Sequence, residues 1–172
     1  MTQTHASFNI NDELQRLQEK EKITELLYEY ARRADRKDIE GWSELFAEEA
    51  KYFVIPRDNW EQKLQICLMY DDSKSRILDR VAYVRQVWDG HFNNYQPRHM
   101  ISGITIQNSD GNSFEVISHF VIFAYDHEFG SRMLAMGEYH DIIVEEDHQY
   151  KFKERKVIID NNTTTDVLVY PI

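Results

Sequence analysis

The chain contains few of the residues that interrupt or cross-link a fold. Its 172 residues include one cysteine, three prolines and six glycines. The single cysteine, Cys67, cannot form an internal disulfide, and its apolar neighbours predict an inert core side chain in a reducing compartment. The scarcity of proline and glycine predicts that most of the chain lies in helices and strands.

Long hydrophobic runs and an excess of positive charge are also missing. The sequence has no run of about 18 apolar residues, and its N-terminus lacks a basic region followed by an apolar one. We therefore expect a cytoplasmic protein that neither spans a membrane nor is secreted. The formal charge of -10 predicts repulsion of nucleic acids and anionic membranes over most of the surface.

The length suits one domain. A chain of this size buries about 70% of the surface that its unfolded form exposes, which is enough for a core without disulfides or metals. We expect residues 1–9 to be flexible and residues 10–172 to form a single domain.

Helical periodicity dominates the first part of the chain. The first core-facing stripe consists of Leu26, Leu27, Tyr30, Ala31 and Ala34. We expect this helix to begin at a cap on Asn9 or Asn11 and to end before Asp38. A shorter helix is predicted over residues 39–46, and a strand over residues 52–55 is ended by Pro56.

Alternation with a period of two replaces this pattern further on. Strands are predicted over residues 99–107, 114–125, 132–145, 150–160 and 165–170. Turns are predicted at Asp110-Gly111, Gly130-Ser131 and residues 146–148. Helices followed by strands in hairpins predict an α+β fold, in which helices pack on a curved, mostly antiparallel sheet. Such a sheet forms a cone with an internal pocket, a shape that serves both enzymes and structural subunits.

Residues 70–103 join an amphipathic helix to a strand through a loop rich in Pro, Arg and His. One face of the helix carries Ile77, Val81, Val84 and Trp88. Ser73 is the expected N-cap and Gly90 the expected C-cap. Both faces of the strand after Pro97 carry apolar residues, so we expect both faces to be covered.

The order of several segments resembles the small (beta) subunit of aromatic-ring-hydroxylating dioxygenases. The matching segments are residues 42–52, Tyr70-Asp71-Asp72, Leu78-Asp79-Arg80-Val81, Pro97-Arg98-His99, residues 137–141 (GEYHD) and residues 154–160 (ERKVIID). Many members have a longer Pro-Ser-Arg-Thr-Arg-His loop where this chain has YQPRH at residues 95–99. The C-terminal half is most similar to small subunits of enzymes acting on aromatic carboxylates such as terephthalate.

This resemblance implies a cone-shaped, nuclear transport factor 2-like fold and a structural role in a complex of three alpha and three beta chains. The alpha (large) subunit would carry a Rieske iron–sulfur cluster and a mononuclear iron, and this chain would carry no cofactor. The composition agrees, because a Rieske centre needs two cysteines and two histidines from one chain. We therefore predict no catalytic, cofactor-binding or metal-ligating residue here.

A second hypothesis places catalysis in the cone. Dehydratases, isomerases and polyketide cyclases of this fold use residues at positions that Tyr30, Asp35 and His99 resemble, with Asp35 as base and His99 as acid or polarising donor. Against this hypothesis, Tyr30 lies on the core stripe, and the arginines of the segment ARRADRKD can pair with Asp35. A third hypothesis is a small-molecule-binding or adaptor domain.

Other charged residues are predicted to act structurally. Arg98 and Arg155 are expected to form bidentate ion pairs with carboxylates, which would fix the orientation of elements or subunits. Asp79, Arg80 and Asp160 could act in the same way. The runs at residues 48–49 and 145–147 are expected to be solvated turns.

Overall fold

The computed structural model describes residues 9–88, 95–109, 112–128, 130–160 and 169–172. The helices in these ranges are α1 (Ile10–Asp35), α2 (Ile39–Glu44), α3 (Arg57–Glu61) and α4 (Lys74–Tyr83), the last followed by a π-helical turn over Val84–Trp88. The strands are β1 (Phe46–Pro56), β2 (Met69–Asp71), β3 (Gln96–Ser109), β4 (Ser113–Asp126), β5 (Gly130–Glu146) and β6 (Gln149–Ile159).

Helix α1 is the long element around which the sheet curves. The side chain of Asn9 accepts a hydrogen bond from the backbone N–H of Asn11 and caps the helix. Its buried side chains include the whole predicted stripe from Leu26 to Ala34, so the predicted face is confirmed. Asn9 was predicted to belong to a flexible segment of residues 1–9, but it caps α1. The other residues of that segment, 1–8, lie outside the described residues.

The described strands form one sheet in the order β2-β1-β6-β5-β4-β3. All neighbours are antiparallel except β1 and β6, which run parallel. Register shifts interrupt several strand pairs, and such bulges bend and twist a sheet. The predicted α+β arrangement, with a mostly antiparallel sheet against an N-terminal helix, is therefore confirmed.

The main core lies between the inner face of the sheet and helices α1, α2 and α4. Its largest fully buried apolar side chains include Trp42, Phe46, Phe120 and Phe152. Ser73 caps α4 as predicted, and Ile77 and Val84 of the predicted stripe are buried. The predicted C-cap, Gly90, lies outside the described residues.

The boundary between α2 and β1 differs from the prediction. Leu45 is the C-cap of α2, and Phe46 already belongs to β1. The strand was predicted over residues 52–55, and Glu48 and Glu49 were predicted to form a solvated turn before it. These two glutamates are solvated as expected, but they lie in a strand and not in a turn.

Strand β3 is exposed on its outer face, so the prediction that both faces are covered is wrong for the single chain. A register shift falls between Ser102 and Thr105, where Gly103 has φ of 63°. This bulge places Ile101, Ile104 and Ile106 against the core. Alternation without a bulge would have divided these residues between the two faces.

Within the described residues one predicted turn is confirmed and one is displaced, because Gly130 and Ser131 already belong to β5 and pair with Asp126 and Tyr125 of β4. Asp147 and His148 both have positive φ and join β5 to β6, the geometry that suits a two-residue hairpin turn. The predicted Asp110-Gly111 turn lies outside the described residues. Of the strand predicted over residues 165–170, only Val169 and Tyr170 are described, and neither lies in a strand.

Two further features concern the helices and Cys67. None of the helices in the described ranges combines the length and apolar character that crossing a bilayer requires. Cys67 is partly buried at the edge of a second, smaller apolar cluster formed by Phe53, Ile55 and Ile158. It therefore lies outside the main core, and its burial raises the pKa of the thiol.

Candidate functional site: the cone interior and the outer sheet face

The interior of the cone is centred on a buried ion pair. Asp141 of β5 and Arg155 of β6 are directly paired across the two strands and point inward. Arg155 donates from Nε and Nη2 to the two carboxylate oxygens of Asp141 at 2.8 and 2.7 Å, and both side chains are 0% exposed. The bidentate ion pair predicted for Arg155 is confirmed, and its partner belongs to the same chain.

Three aromatic rings surround the guanidinium of Arg155. Its central carbon lies 3.9 Å from the ring centre of Tyr30, 4.2 Å from that of Tyr139 and 4.0 Å from that of Phe152. Cation–π attraction and close packing therefore hold the charge in the middle of the cone. These groups occupy space that a substrate in an open cone would use.

The electrostatics of this pair follow from its burial. Burial raises the pKa of Asp141, and the adjacent Arg155 opposes that rise. Burial alone would lower the pKa of Arg155, but Asp141 outweighs it and the net pKa rises. The guanidinium therefore remains charged, and it holds its partner as the carboxylate.

The hydroxyl of Tyr30 forms a hydrogen bond with Ile172, the last described residue. It donates to the main-chain oxygen of Ile172 at 2.7 Å. The hydroxyl of Tyr52 lies 3.0 Å from both the main-chain oxygen and the nitrogen of Ile172. Burial raises the pKa of Tyr30 and raises that of Tyr52 well above its ordinary value, so both phenols stay protonated and act as structural anchors.

The structure brings together the other two residues of the catalytic hypothesis. The Oδ1 atom of Asp35, at the end of α1, lies 2.7 Å from Nδ1 of His99 and accepts a 3.0 Å hydrogen bond from the His99 backbone. The expected pairing of Asp35 with neighbouring arginines is wrong in the described contacts. Arg32 and Arg33 instead bind glutamates, with Glu29 shared between them.

An Asp–His contact of this kind fixes the orientation of the imidazole and leaves its second nitrogen for other chemistry. That nitrogen, Nε2 of His99, is buried and has no hydrogen-bond partner among the described residues. The same holds for the Tyr139 hydroxyl, the Ser118 hydroxyl and Nη1 of Arg155. The interior therefore contains polar atoms that could still form hydrogen bonds, although the Tyr30 hydroxyl is already bonded to Ile172.

The other predicted charged residues have different partners. Arg80 binds Asp71 through two contacts of 2.6 and 3.0 Å, and Asp160 binds Arg57. Exposed Arg98 donates to the neighbouring carbonyl of Pro97, and its role at a subunit contact stays a prediction. Among the described residues, no three His, Cys, Asp or Glu side chains converge on a point where a metal could bind.

The outer face of the sheet carries an apolar surface that the sequence argument missed. Strand register aligns Met100 with Val121 and Met136, and Phe123 with Met133. We call these five residues the outer patch. Met100 is 61% exposed, and Phe123, Met133 and Met136 are each about 40% exposed. The alternation of β4 and β5 could have revealed the patch, because the outward positions of both strands are apolar at this end.

A bent, mostly antiparallel sheet around one long helix, with α2 and α4 packed beside it, defines a cone-shaped, nuclear transport factor 2-like protein. A family profile described as ring hydroxylating beta subunit matches residues 29–166, most of the chain. The chain therefore belongs to this family, the small subunits of aromatic-ring-hydroxylating dioxygenases.

Individual relatives agree with this assignment. The small subunit of anthranilate 1,2-dioxygenase from Burkholderia cepacia is 26% identical over 146 residues, which cover 83% of this chain and 88% of that protein. Beta subunit 2 of the terminal oxygenase component of terephthalate 1,2-dioxygenase from a Comamonas species is 24% identical over 143 residues, 83% of this chain and 92% of that protein.

A solved structure shows the same architecture. The beta subunit of a candidate aromatic-ring-hydroxylating dioxygenase from Novosphingobium aromaticivorans superposes with a TM-score of 0.79 at 27% identity. The match covers 88% of this chain and 95% of that one. The predicted fold and family are thus confirmed.

Proposed function

We propose that this chain is a non-catalytic scaffold in a complex of three alpha and three beta subunits, and that it is inactive alone. The observation that carries this proposal is the contrast between the two faces of the sheet. The inner face is occupied by the Asp141–Arg155 pair and its rings, whereas the outer face exposes an apolar patch. A scaffold subunit binds its partners through an exposed apolar surface and does not need an open pocket.

The outer patch has the composition of a subunit contact. Methionine and aromatic residues are enriched at protein interfaces, and exposed apolar patches mark such interfaces. Met100, Phe123 and Met136 supply this chemistry on three adjacent strands. We place a contact within the complex on this patch, either with the large subunit or with another copy of this chain.

In this proposal the large subunit holds both metal centres. The single cysteine of this chain cannot supply the two thiolates that a Rieske cluster requires. The complex would add both atoms of dioxygen to an aromatic ring to give a cis-dihydrodiol. NADH would supply both electrons through a reductase and leave as NAD⁺, and one proton would be taken up with them. The anthranilate and terephthalate enzymes named above support an aromatic carboxylate as substrate, and we place the complex in the cytoplasm.

Co-expression with a Rieske-type large subunit from the same organism tests the scaffold role. We expect a brown complex whose mass fits three copies of each chain, and a colourless, iron-free and inactive small subunit when this chain is purified alone. Turnover of an aromatic substrate by the isolated chain would contradict the proposal.

A charged substitution tests the contact itself. Met136→Asp should prevent or weaken assembly, because it places a carboxylate within the apolar outer patch. Leu14→Asp is the matched control, since Leu14 is also exposed but lies on α1. Unchanged complex mass and yield with Met136→Asp would remove the patch from the interface.

The Asp35–His99 contact favours a second function, that of a stand-alone dehydratase, isomerase or cyclase. In such an enzyme, Asp35→Asn should abolish turnover by the isolated chain and leave its oligomeric state unchanged. The scaffold proposal expects no turnover by the isolated chain with or without this substitution. An adaptor domain would show neither chemistry nor a Rieske partner.

A further inference from the structure

A groove of about 670 Å³ lies on the outer side of the sheet, at the opposite end from the outer patch. Strands β1 and β2 form its base, and α3 with the segment that follows it forms one side. We call it the α3 groove. Its volume falls in the range of about 300–1,000 Å³ that is typical of small-molecule sites.

The floor of the α3 groove is apolar and firmly packed. Phe53 and Ile55 line the groove. Together with the fully buried Ile158 they form a cluster separate from the main core, and Trp60 and Cys67 pack against this cluster. A ligand that replaced water on this floor would gain hydrophobic contact without requiring a new cavity.

Aromatic side chains give the groove flat surfaces. The rings of Phe53 and Tyr70 lie 5.1 Å apart, and Tyr70 is 55% exposed. The indole of Trp60 forms another side of the groove, with Nζ of Lys156 5.9 Å from its ring centre. Flat aromatic side chains favour a ligand that is itself planar, because rings pack well in stacked and edge-to-face arrangements.

Charged side chains of both signs lie beside this apolar surface. Two ammonium groups, on Lys63 and Lys156, and one carboxylate, on Glu61, line the groove, although the chain as a whole carries a charge of -10. Lys63 lies at the turn after α3 with φ of 56°. Lys156 forms an ion pair with Glu154 at 2.5 Å, which fixes the position of its ammonium group and offsets part of its charge, so Lys63 carries most of the attraction for an anion.

We propose that the α3 groove binds a small planar aromatic carboxylate. The ring would lie against Trp60, Tyr70 and the apolar floor, and the carboxylate would face Lys63 and Lys156. This inference does not depend on assembly with a large subunit, because all the contacting groups belong to one chain.

The single cysteine of the chain provides a direct measurement. Cys67 lines the groove, so a bound ligand should slow its alkylation by iodoacetamide, followed by mass spectrometry on the isolated full-length chain. The probes are 2-naphthoate, its neutral analogue 2-naphthamide, and non-planar cyclohexanecarboxylate. We expect saturable protection by 2-naphthoate and at least tenfold weaker protection by the other two.

Substitution of both lysines tests the charge. The double variant Lys63→Met/Lys156→Met should bind 2-naphthoate about tenfold more weakly, as expected for the loss of two partly exposed charge contacts. Its affinity for 2-naphthamide should stay unchanged. The control is Lys20→Met/Lys153→Met, which removes the same charge from exposed lysines that do not line the groove.

Three outcomes would overturn the proposal. These are equal protection by 2-naphthoate and 2-naphthamide, no protection at millimolar 2-naphthoate, and protection only by an added large subunit. The last result would identify the groove as a protein contact.

Discussion

Asp141 and Arg155 carry opposite charges that compensate each other inside the cone. Both side chains are 0% exposed, so water cannot replace a missing partner. An uncompensated buried charge is among the most destabilising single changes in a protein. The family resemblance at residues 137–141 and 154–160 therefore has a physical basis, because each segment supplies one member of this pair.

Removing the negative charge should destabilise the fold. We expect Asp141→Asn to lower the free energy of unfolding by about 3–5 kcal/mol, measured by urea denaturation. The double variant Asp141→Leu/Arg155→Met is the control, since an apolar pair should recover much of this loss. A change below about 1 kcal/mol in Asp141→Asn would show that the ion pair is not needed for stability.

Gly137 marks a close approach between two strands. A Cβ atom at this position would lie 1.9 Å from the carbonyl oxygen of Ile158, which is backbone and cannot rotate away. We expect Gly137→Ala to lower the free energy of unfolding by about 1–3 kcal/mol or more through this overlap. Gly130→Ala is the comparison, because a Cβ there meets nothing within 4 Å and only its φ of 70° is unfavourable. A larger loss in Gly130→Ala would contradict the steric explanation.

At the scale of elements, the last described residues connect α1 to β1. Ile172 is 1% exposed, and its main chain binds the hydroxyls of Tyr30 and Tyr52. Tyr30 and Tyr52 are thus both held by a residue more than 100 positions further along the chain. The side chain of Ile172 adds apolar burial to these hydrogen bonds.

Shortening this side chain should loosen the connection. We expect Ile172→Ala to cost about 2–5 kcal/mol of unfolding free energy and Ile172→Val about 0.5–1.5 kcal/mol. Thermal denaturation of the three proteins measures the series. Equal stability of Ile172→Ala and the parent chain would mean that the segment does not contribute to the core.

The helices and hairpin strands could be predicted from the sequence because each pattern is local. Leu26, Leu27 and Tyr30 mark one helix face, and strands β4 and β5 alternate over long runs. The resemblance also located Asp71 and Arg80, which the structure joins as a pair. In these elements, periodicity and tertiary packing favour the same structure.

The candidate site was less predictable because its contacts are long-range. Nothing local indicates that Asp35 prefers His99, which lies 64 residues away, to the arginines beside it. The bulge at Gly103 reverses the faces of β3 and is likewise invisible to simple alternation. Alternation marks the apolar outward positions of β4 and β5, but placing Met100 of β3 beside them needs the strand register, which residue patterns do not specify.

For the whole molecule, several ion pairs join elements that are distant in sequence. Glu138 of β5 accepts hydrogen bonds from His140 and from Arg57 of α3, and Arg57 also binds Asp160. The pKa of Glu138 is lowered, mainly by the hydrogen bond from His140 and then by that from Arg57. The pKa of Glu146 is likewise lowered by its hydrogen bond from Lys151.

These shifts set the direction of the acid response. A carboxyl group whose pKa is lower in the folded state binds a proton more readily in the unfolded chain. Its contribution to stability is therefore complete above the unfolded pKa of about 4.5, and it is lost as the pH falls through the lower folded value. We expect the free energy of unfolding to decline below pH 4.5, measured by urea denaturation at a series of pH values.

The variant Glu138→Gln should be less stable than the parent chain at pH 7, and its decline in acid should be shallower. Both effects arise because the amide cannot titrate and binds His140 and Arg57 less strongly than a carboxylate does. Glu49→Gln provides the control, since Glu49 is exposed on β1 and the substitution removes the same charge. Parallel pH profiles for Glu138→Gln and the parent chain would show that the Glu138 contacts do not couple folding to protonation. That result would shift the origin of any acid sensitivity to the other ion pairs of the sheet.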